Sequence, residues 1–263
     1  MTWTTQPRSE LGPLAAITKG KGPVVVLIHG VGLRAEAWGG QIDALSQDHH
    51  VLAVDMPGHG ASSKLAPASG LTQFTDAIAT AISDTVDGPF VVVGHSFGAM
   101  IALDMAARYG ERLRGVVAMN AIFRRSPEAA AAVAARAAEL DGVSMADPSG
   151  PLARWFGVAP SAARDACRDW LTTVDPAGYQ AAYRVFAQED GPSDQALAAL
   201  GCPALFLTGA QEPNSTPAMS HAMGALAPQG QAQVIADAAH MMPMTHARTV
   251  ADILCDFAKG CAR

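Results

Sequence analysis

Short apolar runs recur along the chain at intervals that leave room for a helix between successive runs. The first run, Val24–Ile28, is β-branched and uninterrupted, which is typical of a strand buried on both faces. Similar runs follow at residues 51–54, 90–93, 116–119, 204–207 and 233–235. Helical periodicity fills the intervals, at residues 35–45, 71–86, 99–109, 217–226 and 247–259. The alternation predicts a mostly parallel, doubly wound α/β sheet, with ligands bound beyond the carboxyl ends of its strands.

This rhythm stops between residues 124 and 200, where no strand pattern is found. The stretch contains four helical patterns, at residues 126–140, 151–156, 161–173 and 177–187, with prolines between them. We therefore predict a core domain made of residues 1–123 and 201–263. Residues 124–200 are predicted to form a helical insertion into that core.

Composition narrows the class of protein further. The 263 residues are 49% hydrophobic and 16% charged, and this apolar content is enough for a large core. The net charge of −6 disfavours nucleic-acid binding. The first eight residues lack the basic start and apolar core of a secretory signal. The apolar stretch 90–107 is interrupted by polar residues, so no membrane span is expected. We expect a cytoplasmic protein, and the sequence predicts no particular oligomeric state. Its four cysteines are expected to be reduced: Cys167, Cys202, Cys255 and Cys261.

The strongest chemical signal is Gly94-His95-Ser96-Phe97-Gly98, which lies between a predicted strand and a predicted helix. A G-x-S-x-G motif occurs by chance in glycine-rich chains, but this strand–turn–helix context is the one that a nucleophile elbow requires. The glycines leave space for a tight, strained turn at the serine. Ser96 is therefore the predicted nucleophile.

A second glycine-rich segment, residues 29–33 (here called the glycine loop), directly follows the first strand. It could be an ordinary turn. Paired with the elbow, it is better explained as one half of an oxyanion hole, with the amides of Val31 and Phe97 as the two donors. His29 is expected to orient or pack the loop rather than transfer protons.

A serine nucleophile needs a base, and His240 is the best placed of the eight histidines because it lies in a loop just after the last predicted strand. The base in turn needs a carboxylate partner. Glu212 follows the strand 204–207 and is favoured, whereas Asp237 is a rival only three residues from His240. The choice between the two stays open at this point.

Together these segments resemble the α/β-hydrolase family over the whole chain. The elbow, the glycine loop with Trp38, the D-x-P-G-x-G-x-S turn at residues 55–62 and the histidine loop at 239–243 follow the family's motifs in the family's order. The resemblance implies an α/β-hydrolase fold whose insertion is a helical cap over the site. Its acid position falls on Glu212, where aspartate is commoner, and a serine at the elbow disfavours the ester chemistry of the aspartate-based members.

The resemblance implies an acyl-enzyme formed on Ser96, without metal or organic cofactor, from an ester, thioester or lactone of a small apolar substrate. A carbon–carbon bond hydrolase of a vinylogous diketone and a slow-turnover ligand sensor are alternatives. Trp155, Phe156, Tyr183 and Met241 are the candidate substrate contacts. Among the arginines of the insertion, Arg124 and Arg125 are the candidates for binding a substrate carboxylate, since they lie at its hinge.

Overall fold

The predicted apolar runs pair into a single eight-stranded sheet in the computed structural model, which describes residues 3–261. The ends of the predicted core, at residues 1, 2, 262 and 263, therefore lie outside the described part. The strands are β1 (Ser9–Leu11), β2 (Leu14–Lys19), β3 (Val24–Ile28), β4 (His50–Asp55), β5 (Phe90–His95), β6 (Leu113–Met119), β7 (Ala204–Gly209) and β8 (Gly230–Ile235).

The sheet has the strand order β1-β2-β4-β3-β5-β6-β7-β8, and all pairs from β4 to β8 are parallel. The prediction of a mostly parallel α/β sheet is thus confirmed. The antiparallel edge strands β1 and β2 were not predicted. β1 has only three residues, and β2 contains two alanines, which have low β-propensity, so neither gives a strong pattern.

Helices occupy every interval in which helical periodicity was found. Those around the sheet are α1 (Gly39–Leu45), α2 (Leu71–Ser83), α3 (Phe97–Arg108), α9 (Pro217–Leu226), α10 (Met242–Thr245) and α11 (Ala247–Cys261). The predicted helix 35–45 is divided, because Ala35–Trp38 forms a 3-10 turn ahead of α1. No helix within residues 3–261 is both long and apolar enough to cross a membrane.

Alternate residues of the parallel strands pack into two apolar layers. One face of the sheet carries Val26, Leu52 and Val92 against α2, α3 and α9. The other face carries Val25, Val51 and Val93 against α1 and α11. Burial on both faces explains why these strands have uninterrupted apolar runs in place of a polar alternation.

Between residues 124 and 200 the structure contains helices and no strand. They are α4 (Pro127–Ala138), α5 (Ser149–Phe156), α6 (Ala162–Thr173), α7 (Pro176–Gln188) and the short α8 (Asp194–Ala198), which was not predicted. An apolar cluster joins them to the rest of the chain, with Trp170 and Leu171 of α6 against Leu33 and Met241. The helices therefore lie against the loops at the carboxyl ends of the strands.

A buried ionic network holds the segment before β1, through Arg8, against those same loops. The Arg8 guanidinium donates to Asp55 and to Glu36 at 2.7 Å each, and both carboxylates are almost fully buried. Asp55 also accepts hydrogen bonds from the amides of Ala35 and Ala61. Burial by itself would raise the pKa of Glu36, but the hydrogen bonds from Arg8, from the Gln6 amide and from Arg34, together with the charge of Arg8, lower it to about 2.

We expect Arg8→Met to lower the free energy of unfolding by about 3–5 kcal/mol, since it leaves two buried carboxylates without their cation. Arg34→Met is the matched control and should cost about 1 kcal/mol or less, because the one carboxylate that Arg34 pairs with is Glu36, from a more exposed position, and its other partner is the hydroxyl of exposed Thr5. The contribution of Glu36 is complete above its ordinary pKa of 4.5 and is lost as the pH falls towards 2. Urea unfolding should therefore show the gap between wild type and Arg8→Met narrowing below pH 4.5; equal losses in the two variants would contradict the network.

Candidate active site

Ser96 occupies a sharp turn between β5 and α3. Its backbone has φ 57° and ψ −119°, a conformation that non-glycine residues rarely adopt. The backbone segments on both sides of the turn approach each other so closely that only glycine fits. A Cβ on Gly94 would lie 2.0 Å from the Gly98 carbonyl oxygen, and one on Gly98 would lie 2.2 Å from that of Ile28. The Ser96 amide donates to the Met119 carbonyl at 2.9 Å, which ties the turn to β6.

Beside this turn lies a cavity of about 290 Å³, between the carboxyl ends of the strands and helices α4, α5 and α7. Ser96, His240 and Val31 line it from the sheet side. No hydrogen bond joins the Ser96 hydroxyl to His240 among the residues that the structure describes. Such contacts often form only once a substrate is bound.

Glu212 is the carboxylate that meets His240. Its Oε2 lies 2.8 Å from Nδ1 of the ring, and its side chain is fully buried. Burial would raise the pKa of Glu212, but the charge and hydrogen bond of His240 and the amides of Asn214 and Ser215 outweigh it and lower that pKa. The rival Asp237 is instead exposed and pairs with His246 at 3.3 Å.

The backbone and the ring of His240 are both held in place. Its carbonyl oxygen accepts hydrogen bonds at 2.8 Å from Nε2 of His95 and from Nδ2 of Asn120. Trp155 of α5 stacks on the imidazole, with ring centroids 5.7 Å apart and planes at 18°. The role of Asn120 was missed, although a polar residue directly after the apolar run 116–119 was a usable signal.

The two amides predicted as oxyanion donors, those of Val31 and Phe97, make no other hydrogen bond in the described part of the chain. Neither the Val31 nor the Phe97 N–H donates to a protein acceptor within residues 3–261. The glycine loop lies against Ser96, because a Cβ on Gly30 would lie 3.0 Å from that of Ser96. Phe97 is the first residue of α3, so its amide lies at the positive end of the helix dipole.

The candidate substrate contacts divide into two pairs. Trp155 and Tyr183 line the cavity. Phe156 and Met241 do not: Met241 is an almost fully buried member of the apolar cluster that joins residues 124–200 to the sheet, and Phe156 packs against that cluster. Position beside His240 in the chain was a poor guide for Met241, because its side chain is turned away to fill that cluster.

Three arginines line the cavity, and only one of them was among the candidates. Arg125 is turned to the backbone, donating to the carbonyls of Phe186 and Glu189. Arg136 donates to Glu139 at 2.9 Å, whereas Arg154 has no hydrogen-bond or ion-pair partner among residues 3–261. The other candidate, Arg124, lies outside the cavity and pairs with exposed Asp194.

A parallel sheet with a serine elbow, a following histidine loop and a carboxylate on that histidine defines the class of α/β hydrolases. The model of the alpha/beta hydrolase family matches residues 25–253 of the chain. The chain therefore belongs to this family and is a hydrolase.

Named relatives give the same result. The chain is 38% identical over 229 residues to an (E)-2-((N-methylformamido)methylene)succinate hydrolase from Acinetobacter baylyi, covering 86% of this chain and 87% of the relative. It is 30% identical over 247 residues to a pimeloyl-[acyl-carrier protein] methyl ester esterase from Xanthomonas campestris, covering 89% and 94%. A malate-bound thermophilic esterase from Thermogutta terrifontis superposes with a TM-score of 0.84 at 28% identity, covering 94% and 93%.

Because His240 contacts Glu212 and not Asp237, removing the charge of Glu212 should affect turnover far more than removing that of Asp237. Glu212→Gln should lower kcat about 10³- to 10⁴-fold, because the amide no longer stabilises the protonated ring or fixes its tautomer. Asp237→Asn, the matched control, should stay within about twofold of wild type because its exposed carboxylate contacts only His246. Turnover of an activated ester measures both, and a larger loss in Asp237→Asn would reverse the assignment.

Proposed function

We propose that this hydrolase is a serine hydrolase that forms an acyl-enzyme on Ser96. The observation that supports this most directly is the juxtaposition of Ser96 and His240 on one cavity, with Glu212 at 2.8 Å from the far nitrogen of that histidine. The helices of residues 124–200 serve, in this proposal, as the cap that closes the cavity. The bond cleaved is an ester, thioester, lactone or activated amide.

In the proposed mechanism, the Ser96 hydroxyl attacks the carbonyl carbon while Nε2 of His240 takes its proton. Glu212 stabilises the imidazolium that results. The amides of Val31 and Phe97 donate to the oxygen that becomes negative in the tetrahedral intermediate. His240 then protonates the leaving group, and a water molecule activated by the same ring releases the acid and restores the hydroxyl.

We further propose that the substrate carries a carboxylate, which revises the expectation of an apolar substrate. Arg154 supports this, because a guanidinium without a partner on a cavity wall favours an anion there. Arg136 and Arg125 also line the cavity and add positive charge to it. The Acinetobacter relative is named for a methylenesuccinate and the Thermogutta esterase was solved with malate, and both compounds are dicarboxylates.

Carbon–carbon bond hydrolysis of a vinylogous diketone and slow ligand sensing remain alternative functions for the same residues. Neither is favoured by a specific contact in the cavity. Turnover of a vinylogous diketone faster than that of esters and amides would support the first alternative. Labelling of Ser96 without sustained turnover would support the second.

Ser96→Ala should abolish hydrolysis of activated esters, with a loss of about 10³-fold or more, because the nucleophile is removed. It should also abolish labelling by a fluorophosphonate probe, while thermal unfolding stays near that of wild type. The matched control is Ser220→Ala, another buried serine, outside the cavity, which should keep both activity and labelling. Full labelling of Ser96→Ala would place the nucleophile elsewhere.

Arg154→Gln should raise KM about 10- to 100-fold for an ester that carries a carboxylate, since a charge-assisted hydrogen bond is lost. For the neutral methyl ester of the same acid, KM should change less than about twofold. Arg168→Gln changes the net charge equally, but Arg168 pairs with Asp165 outside the cavity and should affect neither substrate. Equal effects of Arg154→Gln on the charged and neutral esters would contradict carboxylate binding.

A further inference from the structure

The 55–62 turn contains a histidine whose contact reaches the active site. His59 is buried, and its Nε2 lies 3.0 Å from the amide nitrogen of Gly32 in the glycine loop. An amide can only donate, so Nε2 must accept, and the ring proton must lie on Nδ1, which faces the Pro57 carbonyl at 3.2 Å.

The glycine loop is a tight turn in which each amide has a defined direction. The Leu33 amide donates to the Gly30 carbonyl at 3.2 Å, and Gly32 has φ 76°, the left-handed value that the third residue of a type II turn requires. The Leu33 amide is bound inside the turn and the Gly32 amide is bound to His59, whereas the amides of Gly30 and Val31 have no protein acceptor within residues 3–261. The hydrogen bond to His59 thus holds the residue that directly follows Val31, whose amide is the proposed oxyanion donor.

A second buried histidine supports the same loop from its other end. His29 accepts a hydrogen bond from the Met56 amide at 3.0 Å through Nε2, and its Nδ1 donates to the Gly30 carbonyl at 2.8 Å. The two imidazole rings lie 5.6 Å apart. The glycine loop and the 55–62 turn are therefore joined by reciprocal bonds, each made by a ring on one segment to an amide on the other.

We propose that His59 is a positioning residue for the reaction: its ring holds the Gly32 amide and thereby aims the Val31 amide at the oxyanion that forms beside Ser96. This inference rests on the proposed acyl-enzyme function. The ring can accept only while it is neutral, and burial, with the charge of His29, lowers the pKa of His59 to about 3. The acceptor is thus present throughout the neutral pH range.

The test compares three substitutions on the full-length protein with p-nitrophenyl acetate as substrate. His59→Leu removes the acceptor and should lower kcat about 10- to 100-fold with KM within about twofold, because a misdirected oxyanion donor weakens transition-state binding alone. His59→Gln places an amide oxygen near the position of Nε2 and should recover most of kcat. His49→Leu is the matched control: it also replaces a buried histidine, but at the opposite end of the sheet, and should leave kcat unchanged even if it lowers stability.

A merely structural role for His59 would lower thermal stability without separating kcat from KM, and Gln would not then restore turnover. Wild-type kcat in folded His59→Leu would overturn the proposal. Should that variant fail to fold, nuclear magnetic resonance of the ring-15N-labelled wild type decides: the Nδ1–H tautomer is required, and an Nε2–H tautomer would exclude acceptance from Gly32. Ser96→Ala keeps the outcomes distinct, because retained activity there contradicts the acyl-enzyme, whatever His59 does.

Discussion

The close contact between the elbow and the first parallel strand is the constraint on which the site depends. Gly98 meets the carbonyl of Ile28 so closely that no side chain fits between them. That contact allows the left-handed backbone at Ser96 and places the serine beside the glycine loop, which begins one residue after Ile28. The parallel pairing of β3 with β5 thus determines both the strain of the turn and the distance between Ser96 and the glycine loop.

The same sheet edge collects the remaining groups from separate strands. Asn120 follows β6, Glu212 follows β7 and His240 follows β8, so each is delivered by a loop that starts at a rigid strand end. Hydrogen bonds between neighbouring strands and loops, such as that from Thr208 of β7 to Asn120, complete the support. The chain order of serine, acid and histidine is a direct result of the strand order β5, β6, β7 and β8.

Most of the fold, and the positions that meet at the candidate site, could be predicted because they depend on strand ends, and strand ends are marked by apolar runs. The buried runs at 24–28 and 90–93 are of this kind. The short strand β1 and the five-residue helix α8 lack enough positions to form a pattern, and they were missed. The wall of the cavity was harder to predict, because helix packing decides which of two neighbours faces inward: Trp155 lines the cavity and stacks on His240, whereas adjacent Phe156 does not line it.

The anchoring of His240 limits how the proposed base can move during a reaction. With its carbonyl fastened to His95 and Asn120, and its Nδ1 fastened to Glu212, the loop has little freedom to shift. The indole of Trp155 lies nearly parallel to the imidazole, so it permits a small swing of the ring within its own plane and resists tilting out of it. In the proposed mechanism, the imidazole carries the proton from Ser96 to the leaving group while it swings in a plane nearly parallel to the indole of Trp155. The leaving group must therefore be shaped so that its accepting atom lies close to that plane.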